Sequence, residues 1–354
     1  MLTVSTPGRI CLFGEHQDYL GLPVIAAAIS RRVAITGQTQ SIQKVDIQLP
    51  DIQSSERFDL TFPLVYTRER DYYKSALNVV HREGLTFDGG FLCEVHGNIP
   101  INSGTSSSSA LLASWITLLG LLSQQKPAWS AQFIAELANR AEVLEFGEPG
   151  GMMDHYSTAM GNVIYLESEP CINVETLKPN LGAFVLGDSL EPKDTIGILG
   201  RVKFGMLDII HKIKAIQPDF TLASANEEDI IKAKKILTDD EYLLLMGNIS
   251  DRDILREAKI ELSKSDINHH LFGDLLNLHF NNLRDAKKIS TPKLNKMVEV
   301  SLAAGALGAK TNGSGGGGCM FAYAPTHPEQ VAEAIEKVGG KASIISIDEG
   351  TKVL

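Results

Sequence analysis

The chain has 354 residues, 44% of them hydrophobic and 21% charged, the make-up of a globular protein long enough for two domains. A net charge of −10 excludes the broad basic face that a nucleic-acid or anionic-membrane binder needs, yet it leaves nucleotide phosphates open, since backbone N–H groups can hold them. Four scattered cysteines without a C-x-x-C pair argue against structural zinc and against a disulfide framework.

The N-terminal stretch MLTVSTPGRICLFGE has neither the basic nor the apolar region of a secretion signal, and no apolar run is long enough to span a bilayer; a reducing cytoplasm is expected. The first 40 residues read as strand, turn, strand. Residues 72–82 read as a helix with Ala76, Val79 and Val80 inward, and 91–99 as a strand. Leu111, Leu112, Trp115, Leu118, Leu119 and Leu122 recur at helical spacing ahead of Pro127, and a second helix covers 132–146. Strands follow at 162–167 and 183–188, then a mostly helical region from about 200 to 305, a glycine loop, and a strand at 342–347. Helices and strands mix without strict alternation, which predicts an α+β fold. The expected division is 1–175 and 176–354.

Four polar, glycine-rich stretches interrupt this apolar framework. In PINSGTSSSSA (100–110) a Gly-Thr turn enters a helix behind four serines. One serine suffices as a helix cap, so the others are either redundant or hydroxyls for a phosphate or a magnesium ion gathered at the positive helix end. No Walker loop occurs. NGSGGGG (312–318) satisfies G-x-G-x-x-G formally but is read as following a helix and opening a strand, the reverse of a dinucleotide-binding loop; it is either a flexible loop or a place of close backbone or ligand approach. GRICLFGEHQDYLG (8–21) crowds Glu15, His16 and Asp18 beside glycines, as hydrogen-bonding groups or as a metal site. GEPGGMMDHY (147–156) is the fourth.

Taken together and in this order, these stretches resemble the GHMP small-molecule kinases, in particular their galactokinase branch. GRICLFGEHQDY is similar to the galactokinase signature, PINSGTSSSSA to the family's phosphate loop, GGMMDHYSTAMG to the segment of the catalytic aspartate, and GALGAKTNGSGGGGCM to the third family motif. The resemblance implies an N-terminal domain like domain 2 of ribosomal protein S5 and a ferredoxin-like C-terminal domain. It also implies ATP as donor, Mg²⁺ as cofactor, and an active site between the domains. It further implies Asp154 and Arg9 as the catalytic pair, Glu15, His16, Asp18 and Gly151 around the sugar, and Ser103, Gly104, Thr105, Ser106, Ser107, Ser108, Ser109, Gly313 and Gly315 around ATP. Glu142, twelve residues before Asp154, and Ser108 fall on the magnesium ligands, with Ser109 able to share that role.

Cys11, Gln17, Asn102, Ser103 and His155 depart from the family pattern, and the segment after 183–188 lacks the galactokinase Ser-x-Tyr-x-x-Arg, with Asp188, Lys193 and Asp194 in its place. The expected activity is therefore that of an ATP-dependent kinase of a free sugar, galactokinase-like and acting at the anomeric hydroxyl. A kinase of a uronic acid, heptose or arabinose, or a non-catalytic sensor of sugar and ATP, are the alternatives. The Glu15 cluster favours a polyhydroxyl acceptor over mevalonate. A monomer or weak dimer is expected.

Overall fold

The computed structural model describes every residue except 149, 193–196 and 199. The chain runs through β1 (Leu2–Phe13), β2 (Val24–Gln40), β3 (Lys44–Leu49), β4 (Ser54–Asp59), α1 (Tyr72–Arg82), β5 (Gly90–Gly97), α2 (Ser107–Leu122), α3 (Ala131–Asn139), α4 (Met153–Met160), β6 (Val163–Glu167) and β7 (Asn173–Leu177). Residues Arg140–Leu144 continue α3 as a π-turn. Beyond this come β8 (Phe184–Asp188), α5 (Gly205–Lys214), α6 (Glu227–Lys234), α7 (Asp239–Leu262), α8 (His269–Asn281), α9 (Pro292–Ala303), β9 (Gly308–Thr311), β10 (Cys319–Tyr323), α10 (Pro328–Lys337), β11 (Lys341–Ile345) and β12 (Lys352–Val353). No helix among the described residues is long and apolar enough to cross a membrane.

Two sheets organise these elements. The first has the order β12-β1-β2-β5-β3-β4, with β6 also paired to β2 and β7 to β6. The second has the order β11-β8-β10-β9. Counted along the C-terminal half this is 4-1-3-2, and α9 and α10 pack on it, which is the ferredoxin-like arrangement. The α+β expectation with two sheet-based halves holds.

Residues 4–13 of β1 and the first six residues of β2 are buried on both faces, which is why these segments read as near-continuous apolar runs rather than as alternating strands. Val4, Cys11, Val24 and Ala26 enter a core with α2, α3 and α4, whereas Ile10, Leu12, Ile25, Ala27 and Ile29 enter a second core with α7, α8, β8 and β10. Strand periodicity thus points Arg9, on the same side as Cys11, toward α4.

Three features differ from the sequence reading. Residues 44–59 form the hairpin β3–β4; its outer strand is largely exposed and polar, so it gives no buried pattern to read. The glycine loop does not follow a helix directly: the short strand β9 intervenes, so 312–318 is the turn of the β9–β10 hairpin. The chain also does not end on 342–347, because β12 returns to pair with β1.

Candidate active site

A cleft of about 870 Å³ lies between the two halves and brings together the four stretches singled out above. Its floor is the start of α2. Ser106, the N-cap residue, lies in the left-handed region at φ 58°, as do Asn102 and Gly104 before it, so the loop curls its amides toward one concavity. The Ser106 side chain makes no cap bond; the first helical bond is Ala110 N–H to Ser106 O at 3.0 Å. The N–H groups of Ser107, Ser108 and Ser109 therefore meet no acceptor among the described residues and, with the helix dipole, form an anion site.

The hydroxyls of Ser108 and Ser109 are committed elsewhere. They donate to Glu142 Oε1 at 2.5 Å and to Glu142 Oε2 at 2.7 Å. His155 Nε2 reaches Glu142 Oε2 at 2.8 Å, while Asn139 Nδ2 faces His155 Nδ1 at 3.4 Å and donates to Gly151 O at 3.2 Å. Burial on its own would raise the Glu142 pKa; His155 and the two serines outweigh it and hold the carboxylate below its ordinary range.

Asp154 lies in the first turn of α4, where the helix dipole favours a negative charge, and it does not cap that helix. Arg9 Nε and Nη2 both donate to Asp154 Oδ1, at 2.9 and 2.6 Å, and Arg9 Nη1 donates to Gly104 O. The guanidinium thus ties the catalytic-pair candidate to the phosphate loop directly. Burial opposes ionisation of Asp154, but Arg9, then His155 and Ser106, keep its pKa below the usual value; the Arg9 pKa is raised in turn. The Ser106 hydroxyl is buried beside this pair, close enough to Asp154 to favour its charged form.

On another side of the cleft stand Asp18, His16 and Glu15. Asp18 accepts Tyr19 N–H at 2.9 Å, and its pKa is raised by burial and by the like charge of Asp154. Gly151 is where Asp18 lies against the backbone: a Cβ there would fall 1.7 Å from Asp18 Oδ2. His16, at φ 65°, bonds Tyr19 Oη at 2.7 Å and Ser314 O at 3.1 Å. Glu15 lines the cleft but is turned inward, 1% exposed, and paired with Lys310. Behind it lies a buried group of Asp251, Lys287 and His279: Lys287 Nζ is 2.8 Å from Asp251 Oδ2 and donates to Glu15 O at 2.8 Å. Burial and the two lysines push the His279 pKa far down, which favours a neutral imidazole between Glu15 and Asp251. Removing one partner of a buried ion pair costs about 3–5 kcal/mol, so the network fixes Glu15 firmly.

The glycine hairpin packs backbone to backbone on the phosphate loop. A Cβ on Gly318 (φ 74°) would lie 2.8 Å from Ser103 O, and Cys319 N–H donates to that same oxygen at 2.8 Å. Asn312 bridges the halves, donating to Gly104 O at 2.7 Å and accepting Cys11 N–H at 2.8 Å. Gly313 and Ser314 face the cleft; Gly315 instead packs against Ile289, whose carbonyl oxygen would be 2.3 Å from a Cβ there. Ser103 and Gly104 line the cleft, and Thr105, buried, donates to Pro100 O at 3.0 Å and accepts Arg9 N–H at 3.1 Å through its carbonyl. Lys193 and Asp194 lie outside the described residues.

Sequence reasoning missed Asn312, Asn139 and the residues behind Glu15. Lys310, within the buried strand β9, and Asn312, just after it, stand inside the third motif, where their polarity in a buried stretch was a legible signal. Asp251 and His279, on α7 and α8, and Lys287, just past the turn that follows α8, stand in no recognisable motif and carried none.

This constellation, a helix-start anion site facing a carboxylate–guanidinium pair, is an arrangement suited to phosphoryl transfer. Comparison with known proteins agrees. Residues 71–162 match the GHMP kinases N terminal domain, 260–341 the GHMP kinases C terminal domain, and 2–39 the galactokinase galactose-binding signature. The chain is 30% identical to mevalonate kinase of Thermococcus gammatolerans over 99% of its length and 97% of that protein's. It is 25% identical to galactokinase of Actinobacillus succinogenes, covering 92% of this chain and 85% of that one. The crystal structure of Lactococcus lactis galactokinase complexed with galactose superposes with a TM-score of 0.82 at 22% identity, covering 99% of this chain and 94% of that chain. The chain belongs to the GHMP kinase family, and thereby to the ATP-dependent small-molecule phosphotransferases. Within that family it carries the galactokinase signature over its first strands, while over the whole chain its identity to the mevalonate kinase exceeds that to the galactokinase.

Proposed function

We propose that this kinase transfers the γ-phosphoryl group of ATP to the anomeric hydroxyl of a free neutral sugar of the galactose type, giving a sugar 1-phosphate and ADP. The observation that carries the reading is the Arg9–Asp154 pair, 2.6 Å apart and bonded through Arg9 to the phosphate loop at Gly104. Phosphoryl transfer needs in-line placement and neutralisation of charge on the transferred oxygens. The free amides of Ser107–Ser109 bind the phosphates. Asp154, kept ionised by Arg9, accepts the proton of the acceptor hydroxyl, and the guanidinium opposes the negative charge that develops beside it.

Glu142 with Ser108 and Ser109 fits a magnesium ion. One ionised carboxylate and one or two hydroxyls at a phosphate site are what this ion uses when the nucleotide supplies its remaining oxygens. Bound there, magnesium would neutralise phosphate charge; Ser109 and His155 would keep Glu142 oriented toward it.

A neutral acceptor follows from the charges on the cleft. Asp18, Asp154 and Asp188 face it, while Arg9 is committed to Asp154 and Arg70 to Glu148, at 2.6 Å in each case. A carboxylate on the acceptor, as in mevalonate or a uronic acid, finds no free cation among the described residues, and desolvating it unpaired is costly. An ADP-release screen over hexoses, heptoses, arabinose, uronic acids and mevalonate, with ³¹P NMR of the product, tests this. Turnover confined to neutral sugars with phosphate on C1 supports the reading; turnover confined to mevalonate overturns it.

A further inference from the structure

Behind the phosphate loop a second cavity, of about 410 Å³, opens between the two sheets. Ile99 and Leu186, both buried, form its inner side, and Ile101 and Asp188 are a wall that it shares with the catalytic cleft. Arg31, from the middle of β2, and Lys341, the first residue of β11, converge on it. Neither side chain makes a hydrogen bond or ion pair with any described residue, although Lys341 lies opposite Asp188 in the β11–β8 ladder. The adjacent Arg32 shows the contrast, spending its guanidinium on Ser5, Asp348 and Gly350.

The remaining polar groups of the cavity are donors as well. The Oδ1 of Asn98 is taken by Arg32 N–H at 2.7 Å, which leaves its amide N–H groups, and Ser343 adds a hydroxyl. The one carboxylate, Asp188, is already used: Oδ1 accepts Leu190 N–H at 2.9 Å, and Oδ2 accepts the Ser103 hydroxyl at 3.4 Å. Two uncommitted cations and two further donors above an apolar floor match an anion that has an organic body.

We propose that this cavity binds a small phosphate monoester and that its occupancy is coupled to the ATP site. The coupling path is short. Pro100 and Ile101, which line the cavity, anchor the phosphate loop through Thr105 Oγ1 to Pro100 O and Ser103 Oγ to Ile101 O, each 3.0 Å. A ligand that fixes 100–101 fixes the loop, and linkage makes the effect reciprocal: ATP and the ester alter each other's affinity by one factor.

The test is calorimetric titration of the intact protein, its cleft saturated with magnesium and a non-hydrolysable ATP analogue, with inorganic phosphate and with galactose 1-phosphate. The ester binds, and binds more tightly than inorganic phosphate. Arg31→Gln/Lys341→Gln loses about tenfold or more of that affinity, as expected when charge-assisted contacts are removed. The same variant keeps its fold and its basal turnover, and only the wild type shows an ATP KM that moves with ester concentration. No binding to the wild type at about 10 mM ester, equal affinity for ester and inorganic phosphate, or equal binding by the double variant overturns the site; an ATP KM that stays fixed while the ester binds overturns the coupling. Binding is read without turnover, so failure of the sugar-kinase reading would be seen separately in the substrate screen.

Discussion

Replacing Asp154 by Asn separates the charge at this position from its shape. The amide oxygen still accepts from Arg9 Nε and Nη2, so the 2.9 and 2.6 Å contacts have a partner, but the negative charge is gone. At an effective dielectric of about 20, two charges about 4 Å apart attract by about 4 kcal/mol. The Asp154 side chain is 36% exposed, so solvent screening and the relief of desolvation cancel much of this, leaving a net loss of about 1–2 kcal/mol of stability. Catalysis suffers more. Losing a positioned proton acceptor slows turnover by about 10²–10⁴-fold. The phosphate amides of Ser107–Ser109 are untouched, so the ATP KM stays within a few-fold. ADP release under saturating ATP, with chemical denaturation in parallel, reads both quantities. A variant that turns over within fivefold of wild type would remove Asp154 from the chemistry. The pH dependence adds a second reading. Asp154 has a folded pKa below its unfolded value of about 3.9, so its ion-pair contribution is complete above that value and is lost only as pH falls through the folded pKa. No acidic limb in kcat above about pH 5 is expected to belong to Asp154.

Asp18 behaves in the opposite sense. Its pKa is raised by burial and by Asp154, so its charged form costs stability, and Asp18→Asn gains about 0.5–1 kcal/mol in denaturation while the acceptor KM rises about tenfold and the ATP KM does not. A gain in stability without any change in acceptor KM would take Asp18 out of the acceptor site. Glu142→Gln gives Ser108, Ser109 and His155 one acceptor oxygen where they had two. A loss of about 1–3 kcal/mol and a half-saturating magnesium concentration raised about tenfold or more are expected, from denaturation and from magnesium titration of ATP binding; an unchanged magnesium response would exclude Glu142 as a ligand. Gly318→Ala places a methyl 2.8 Å from Ser103 O at a positive φ and raises the ATP KM, whereas Gly84→Ala, also at positive φ but with nothing within 4 Å, costs only backbone strain of about 1–2 kcal/mol and leaves KM alone. Equal KM effects at the two positions would show that the hairpin does not act on the loop.

Helices with a clear apolar face were legible in the residues. Tyr72–Arg82 forms as read because its inward positions follow one helical stripe, and α2 because leucines ring it on the buried side. The hairpin β3–β4 was not read although Val45 and Ile47 of β3 enter the core, since β3 is short and the polar outer strand resembles a loop. The phosphate loop was half legible: four serines announced a site, but local pattern could not say that two of them would serve Glu142 rather than a phosphate, because that depends on where α3 ends in its π-turn. Glu15 shows the limit most plainly. Its motif suggests a hydroxyl ligand, whereas its actual direction is set by Lys310, 295 positions away in sequence.

The wall we assign to the triphosphate is made of main chain: amides at the start of α2, held by carbonyl contacts with the glycine hairpin. Side-chain replacement can hardly redraw such a surface, because any added atom collides with the opposite strand. The far wall, where Asp18, His16 and Asp188 project, is drawn by side chains alone and can be rewritten one residue at a time. A protein built this way keeps a constant donor while exploring new acceptors, and so one scaffold can accommodate sugars in one lineage and mevalonate in another.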